Sequence, residues 1–484
     1  MEEPRTLKVL SLNCWGLWIV ANRRRERIQA IAEWISAPAT ARYDVIALQE
    51  LWVQDDFKLL SEHAKRVGYD HSRFFYSGAI GSGLAFLSRH AIESSFIRPY
   101  SLNGSPLHFI EGDFFAGKSI AGISITLDNH DNDDDDDARV DDGNLGMNGT
   151  RRRGRRRRAK RTVDVLNTHM YAPGGEGDSV DGAPRIAQAW ELSNVVRDKL
   201  AAGRHVIVTG DFNSQPHSII TNLLVRRTGL TDSFAETHDA PPSITSTRHG
   251  ALAPFDLVQT HGITCDSPVN SYSAAKLKHK APTDEVIVRG GKRLDYILYR
   301  SPSHDDDDDV DDDGDGERLV ATSNRVVLTE PIPTIATPTS YSDHFGLETT
   351  FALTKTTARQ SRSSGGGGGG SHSPLARDSE AEVLLKSLSA LSRRYRATTS
   401  TSRRQLQLFA LSLALVASIA VASSFEPVKW LNWILTLAAT ANAFFGTTML
   451  YVGFVAAKWE RGALRNVIGE IEHELDRIRK TRRS

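Results

Sequence analysis

The sequence predicts an α/β domain over residues 1–354, followed by a C-terminal pair of membrane-crossing helices. Three observations predict it. Short apolar runs end in polar residues, amphipathic helical stretches alternate with them, and two uncharged stretches lie near the C-terminus. Strands mixed with helices in this way suggest a two-layered α/β core.

The elements follow in chain order. Leu7–Leu12, Tyr43–Leu48, Leu84–Ser88, Val163–Thr168, His205–Gly210, Leu294–Tyr299 and Leu347–Phe351 read as strands. Arg23–Ser36, Asp55–Val67 and Pro184–Leu200 carry the periodicity of amphipathic helices. Two low-complexity inserts interrupt the core. Residues 128–161 run from the Asp tract Asp133–Asp137 into a basic tract, and residues 303–317 are Asp-rich. Both are expected as solvated surface loops. A Ser/Gly stretch over 355–378, with an unbroken Gly365–Gly370 run, reads as a flexible linker. Residues 379–404 form a basic amphipathic segment.

Leu406–Phe425 and Leu431–Ala457 contain no charged residue. Each is close to the ~20 residues that cross a ~30 Å hydrocarbon core as a helix. Trp430, Trp433 and Trp459 sit near their ends, where interfacial aromatics belong. Arg393, Arg394, Arg396, Arg403 and Arg404 precede the first stretch, and Lys458, Arg461 and Arg465 follow the second. The positive-inside rule then puts both termini and the α/β domain in the cytosol, with residues 458–484 a basic C-terminal helix or tail. The endoplasmic reticulum, Golgi and mitochondrial outer membrane all fit such a hairpin.

Basic and acidic residues number 59 each, so the chain as a whole is no polyelectrolyte binder, and nucleic acid is not an expected partner. Two cysteines, Cys14 and Cys265, offer no metal or disulfide framework. The start Met1-Glu2-Glu3 shows no signal-peptide pattern. Composition leaves oligomeric state open.

Polar clusters mark the strand ends. They are Asn13, Glu50, His169, Asp211 with Asn213, Asp295, and the pair Asp343-His344. A lone carboxylate at a strand end is usually a cap, and a lone His is usually structural. The ordered set is harder to explain that way, and phosphodiester hydrolysis needs such a set. Carboxylate and amide oxygens suit a hard cation such as Mg²⁺, and a His can deprotonate water near neutral pH.

On these motifs, together with Gln49-Glu50-Leu51-Trp52 and Gln188-Ala189-Trp190-Glu191-Leu192, the chain resembles the endonuclease/exonuclease/phosphatase superfamily. Within it the chain is similar to the neutral sphingomyelinases and the inositol phosphosphingolipid phospholipases C. The resemblance spans roughly Leu7 to Phe351 and implies a four-layer, DNase I-like α/β sandwich. It also implies cleavage of a sphingolipid to ceramide and a phosphorylated head group, with Mg²⁺ as cofactor and Mn²⁺ as a substitute. Glu50 would be the principal metal ligand, with Asn13 and Asp343 beside it. His344 would be the general base and Asp295 its partner. Asp211 and Asn213 would position water and phosphate, His169 would contact phosphate or leaving group, and Arg185 would pair with phosphate. The chain departs from the family pattern at Pro184 and Asn167, where His is common. The head group stays open between phosphocholine and phosphoinositol. A membrane-tethered nuclease, an inositol-lipid phosphatase and an inactive scaffold remain alternatives.

Gly112–Ser119 fits the nucleotide-binding pattern G-x-x-x-x-G-K-[ST]. That motif needs a helix immediately after it, and Ile120–Leu127 alternates like a strand. In the resembled family a segment of this kind, with Asp and Lys five apart, is linked to activation by anionic phospholipid. Asp113 and Lys118 match that spacing and would be regulatory.

Overall fold

The computed structural model describes all residues except 1–4, 19, 39–42, 108–111, 128–161, 175–179, 240–253, 278–290, 303–316, 356–373, 426, 427, 429 and 484. The Asp- and Arg-rich inserts and the Gly run therefore lie outside the described residues, although Glu317 already opens a strand.

The chain runs β1 (Thr6–Asn13), α1 (Arg24–Ser36), β2 (Val45–Gln49), α2 (Gln54–Lys65), β3 (His71–Phe74), β4 (Ala85–Ser88), β5 (Ile92–Pro99), α3 (Asp113–Ala116), β6 (Ser119–Thr126) and β7 (Thr162–His169). It continues α4 (Ala183–Ala201), β8 (His205–Asp211), α5 (Ile219–Thr228), β9 (Thr231–Asp232), β10 (Asp295–Arg300), β11 (Glu317–Val327) and β12 (Gly346–Lys355). Among the described residues, three short helices lie between β9 and β10.

Two six-stranded sheets result, in the orders β11-β12-β1-β2-β4-β3 and β5-β6-β7-β8-β10-β9. Side-chain alternation sorts them into layers. On β1, Leu7 and Val9 enter the core between the sheets, while Leu10 and Leu12 meet Ile28 and Ile31 of α1. On β8, Ile207 enters the same inter-sheet core, and Val206 and Val208 pack with Trp190 of α4 and Leu223 of α5. The molecule is thus a four-layer sandwich of helix, sheet, sheet and helix, which replaces the two-layered reading of the strand pattern.

The C-terminal region is built from long helices. The amphipathic segment and the first apolar stretch form one continuous helix, Pro374–Ser423. A second apolar helix, Leu431–Leu450, passes through a π-helical turn, Tyr451–Ala456, into the C-terminal helix Ala457–Arg483. Leu411, Leu413, Val421, Leu437 and Phe444 project outward from the apolar stretches, uncovered by protein. Among the described residues, two helices are long and apolar enough to cross a membrane. They are clamped to each other by polar groups: Ser412 Oγ donates to Asn442 O at 2.7 Å, and Asn442 Nδ2 donates to Ser412 O at 2.8 Å.

Their water-side halves dock on the α/β domain. Leu384 and Leu391 of the long helix and Leu464, Val467 and Ile471 of the C-terminal helix are buried in one core with α4 and α5. Trp190 Nε1 donates to Glu470 Oε2 at 2.5 Å, and the Arg227 guanidinium stacks 3.8 Å over the Trp190 ring. Arg197 pairs with Glu474 at 3.3 Å.

Candidate active site

Register brings the strand ends into line. Asn13 pairs with Gln49 across β1 and β2, and Asp211 pairs with both His169 and Asp295 across β7, β8 and β10. Each chain then leaves its strand through an unfavourable backbone conformation. Trp15, Glu50 and Asn213 have φ of 45°, 52° and 48°, a left-handed region rare for side-chain-bearing residues. Such strain is kept where surrounding contacts over-determine it. Gly16 supplies one of those contacts: its N–H donates to Glu50 O at 2.8 Å, and a Cβ at 16 would sit 2.5 Å from that oxygen.

Buried polar bridges hold the two sheet edges together. Asn13 Nδ2 donates to Glu50 Oε1 and to Asp211 Oδ2, each at 3.0 Å. Gln49 Nε2 donates to Asn167 Oδ1 at 2.8 Å, and Asn167 Nδ2 donates to Leu48 O at 2.9 Å. Asn167, one of the departures from the family pattern, is therefore a strut between sheets. Arg27 on α1 is fully buried and donates to Cys14 O, Trp15 O, Asn22 O and Tyr341 O. It ties the loop after Asn13 to the loop before His344. Arg27→Leu would orphan four carbonyls and is expected to cost about 3–5 kcal/mol. Denaturant unfolding would show it as a lower midpoint at unchanged slope, and an unmoved midpoint would refute the clamp.

His344 Nδ1 donates to Asp295 Oδ2 at 2.8 Å, leaving Nε2 3.8 Å from Asp211 Oδ2. Thr264 Oγ1 accepts from the backbone N–H groups of Leu294 and Asp295, and Thr264 O accepts from Phe345 N, so one residue sets both members of the pair. Burial alone would lower the His344 pKa, but the Cys265 thiol, Asp295 and Asp211 outweigh it and hold it well above its ordinary value. His169 goes the other way. Burial, then the charges of Lys118 and His344, push it well below its ordinary value, so its ring stays neutral. Lys118, only 2% exposed, places Nζ 2.8 and 2.9 Å from the His169 ring nitrogens and 3.0 Å from Asp113 Oδ1.

Among the described residues, two groups of side chains could hold a metal ion. Ligand atoms of Glu50, His169 and Asp211 lie within 4.8 Å of one another, as do those of Asp211, Asp295 and His344. Their chemistry fits a hard divalent cation. Burial, followed by the charge of Asp343, raises the Glu50 pKa. Burial and then Asp295 push Asp211 up to about 7. Asp295 Oδ1 is buried without a hydrogen-bond partner. Carboxylates held up in this way disfavour their charged forms, and a cation among them relieves it.

Stability linkage gives a test. Between the ordinary 3.8 and about 7, native Asp211 binds a proton that the unfolded chain has lost, so its contribution to stability falls as pH rises through that window. A divalent cation should therefore raise Tm more at pH 8 than at pH 5. Equal shifts by differential scanning fluorimetry would refute this linkage.

The structure brings together Asn13, Glu50, Lys118, His169, Asp211, Asp295 and His344, with Asp343 close enough to act on Glu50 through its charge. Three of the expected site residues also have structural contacts. Asn13 Oδ1 accepts from Trp15 N at 3.0 Å, and its NH₂ turns to the carboxylates as a donor. Asn213 gives its backbone N–H to Asp211 Oδ1 at 2.8 Å and its side-chain amide to Met170 O at 3.1 Å, so it positions Asp211. Arg185 is 1% exposed and donates to the carbonyls of Tyr171, Ala172, Pro173 and Gly174, so it frames that loop. The Gly112–Ser119 motif runs into β6 without a following helix, as its sequence implied.

The supporting roles of Gln49, Arg27 and Thr264 are not visible in the sequence. Only Arg27 leaves a trace there, as a charge on the apolar stripe Ile28-Ile31-Ile35 of α1.

A two-sheet α/β sandwich with carboxylates and two histidines at the joined strand ends defines a hydrolase-type site. Residues 10–344 match the Endonuclease/Exonuclease/phosphatase family, and the chain belongs to it. An inositol phosphosphingolipids phospholipase C of Schizosaccharomyces pombe is 28% identical over 98% of this chain and 95% of its own length. A putative neutral sphingomyelinase of Caenorhabditis elegans is 30% identical over 72% of this chain and 67% of its own. Among solved structures, beta toxin from Staphylococcus aureus is 17% identical, covering 71% of this chain and 99% of that one, with a TM-score of 0.45.

Proposed function

We propose that the chain is a membrane-bound, Mg²⁺-dependent phosphodiesterase of the phospholipase C type that releases ceramide from a sphingolipid. The observation that carries this reading is the His344–Asp295 pair aimed at a buried carboxylate cluster, in a domain docked on two membrane-length helices. Relatives named for this activity, one of them similar over nearly the whole chain, support it.

Glu50 and Asp211 would hold the cation, with Asp343 beside them, and the bound ion would polarise the phosphate and steady the leaving oxygen. His344 Nε2, neutral once a bound cation offsets the carboxylate charge that otherwise holds the ring protonated, takes a proton from water as the water oxygen bonds to phosphorus. Asp295 keeps the ring oriented and stabilises its charged form. The ceramide oxygen leaves as its bond to phosphorus breaks. Neutral His169 serves as hydrogen-bond partner to phosphate or leaving group, and Lys118 brings a fixed positive charge beside it.

Both termini and the α/β domain would face the cytosol, by the basic flanks of the hairpin. Anionic phospholipid would act as activator through Asp113 and Lys118. The test is ceramide release from mixed micelles of sphingomyelin or inositol phosphosphingolipid, with and without Mg²⁺ and phosphatidylserine, beside a labelled DNA duplex. Metal-dependent release with DNA left intact supports the reading and ranks the head groups. DNA cleavage with intact lipid would turn the assignment to a tethered nuclease.

A further inference from the structure

A cavity of about 570 Å³ lies between the α/β domain and the helices that carry the apolar stretches. Its size falls within the ~300–1,000 Å³ typical of small-molecule sites. The domain contributes Leu102, Leu107 and Phe114, and the π-helical turn contributes Tyr451, Val452 and Val455. These residues lie where the apolar stretches begin, so the cavity is continuous with the ground a bilayer would occupy.

One wall is polar. Arg394, Thr398, Thr401 and Gln405 of the long helix all line the cavity, at a spacing that puts them on one helix face. Thr398 and Gln405 are each 7% exposed, and neither side chain has a hydrogen-bond partner among the described residues. Gln405 packs on Gly453, where a Cβ would come within 2.9 Å of its own. Two mostly buried residues thus present an amide and a hydroxyl to the cavity, where a ligand's polar groups can bond them.

The charges of the wall say which ligand. Arg394 is the one basic residue among the described residues that line the cavity. Its Nε lies 2.6 Å from Glu460 Oε1 and its Nη1 3.7 Å from Asp181 Oδ1. The cation is already faced by two carboxylates, so an anionic phosphate would find repulsion there. A neutral lipid with amide and hydroxyl groups fits the free donors and acceptors of Gln405 and Thr398.

The cavity also adjoins the candidate active site. Gly117 lines it and is bonded directly to Lys118. Tyr100 lines it too, and its hydroxyl bonds Thr168 Oγ1 at 2.8 Å, next to His169.

We infer that this cavity is a binding site for ceramide, held through its amide and hydroxyls by Gln405 and Thr398. The inference rests on the proposed reaction for the identity of the lipid, and makes its neutral product a ligand of the enzyme outside the catalytic centre.

The test uses the full chain in phosphatidylcholine nanodiscs with EDTA, so that no turnover contributes. A photoactivatable ceramide is crosslinked and the labelled peptides are mapped by mass spectrometry. Labelling of residues 394–405 or 451–460, displaced by unlabelled ceramide but not by equal phosphatidylserine or diacylglycerol, is expected. Gln405→Leu and, separately, Thr398→Val should each weaken labelling about 2- to 10-fold, the loss of one hydrogen bond, while ceramide release by the Mg²⁺-loaded variants stays near that of the parent chain. Displacement by phosphatidylserine as strong as by ceramide would overturn the inference, as would labelling elsewhere or labelling unchanged in both variants. Release assays on the same preparation separate the two readings: active but unlabelled protein refutes this site alone, and labelled but inactive protein refutes the reaction alone.

Discussion

His344→Ala is expected to lower kcat by about 10²–10⁴-fold, the usual worth of a positioned general base. The fold should survive, because the backbone at this position is held by its own bonds, His344 N to Ser342 Oγ at 3.3 Å and Phe345 N to Thr264 O at 2.7 Å. Asp295→Asn tests the same unit from behind. It keeps the shape of the pair but alters the hydrogen bond that sets the tautomer. Because the two residues act together, the double variant should be little slower than the worse single one. Substrate turnover by all three proteins, with circular dichroism to verify folding, decides the matter. A His344→Ala protein that keeps more than about a tenth of wild-type kcat would remove His344 from the role of base.

Glu50→Gln carries the second large effect, and it has two opposite signs. Activity should drop by at least about 10³-fold, or about 4 kcal/mol, since the cation loses a charged ligand and its hold on phosphate. The cation-induced rise in Tm should shrink with it. Without cation, the variant should be more stable than the parent at pH 8. Burial and the charge of Asp343 already disfavour a charged Glu50, and a neutral amide of the same shape escapes that penalty while keeping a partner in Asn13. Thermal unfolding with EDTA and with Mg²⁺ measures both signs. A Glu50→Gln protein less stable than the parent in EDTA would show that Glu50 is structural, and that its raised pKa costs nothing.

Much of this arrangement can be read in the chain because each site residue closes a short apolar run. Asn13, Glu50, His169 and Asp211 follow strands whose inner and outer residues alternate, and strand ends in such a sandwich collect on one edge. Edge strands are harder to see. β5, Ile92–Pro99, has water on much of both faces, and β11, Glu317–Val327, is broken by a register shift near Ala321, so neither keeps a clean period of two. The loop-framing contacts of Arg185 are hidden for a related reason. Its partners are backbone carbonyls, which no sequence motif records. The Gln49–Asn167 bridge joins residues 118 apart, and Trp190–Glu470 joins residues 280 apart, so local pattern could announce neither. Lys118 stands out through a nucleotide-binding pattern whose chemistry does not apply, yet the side chain does face the site.

The docking of the C-terminal helices on α4 and α5 changes what the Gly365–Gly370 run could mean. Such a run looks like a leash that lets a domain roam above its anchor. Here β12 on one side of it and the long helix on the other belong to one packed body, and that helix continues without a break into its apolar stretch. Under the proposed function, the enzyme can then work only in cis. In a mixture of vesicles, lipid in those that carry the protein would be consumed and identical lipid in its neighbours would be spared, however long the run between Lys355 and Pro374 is made.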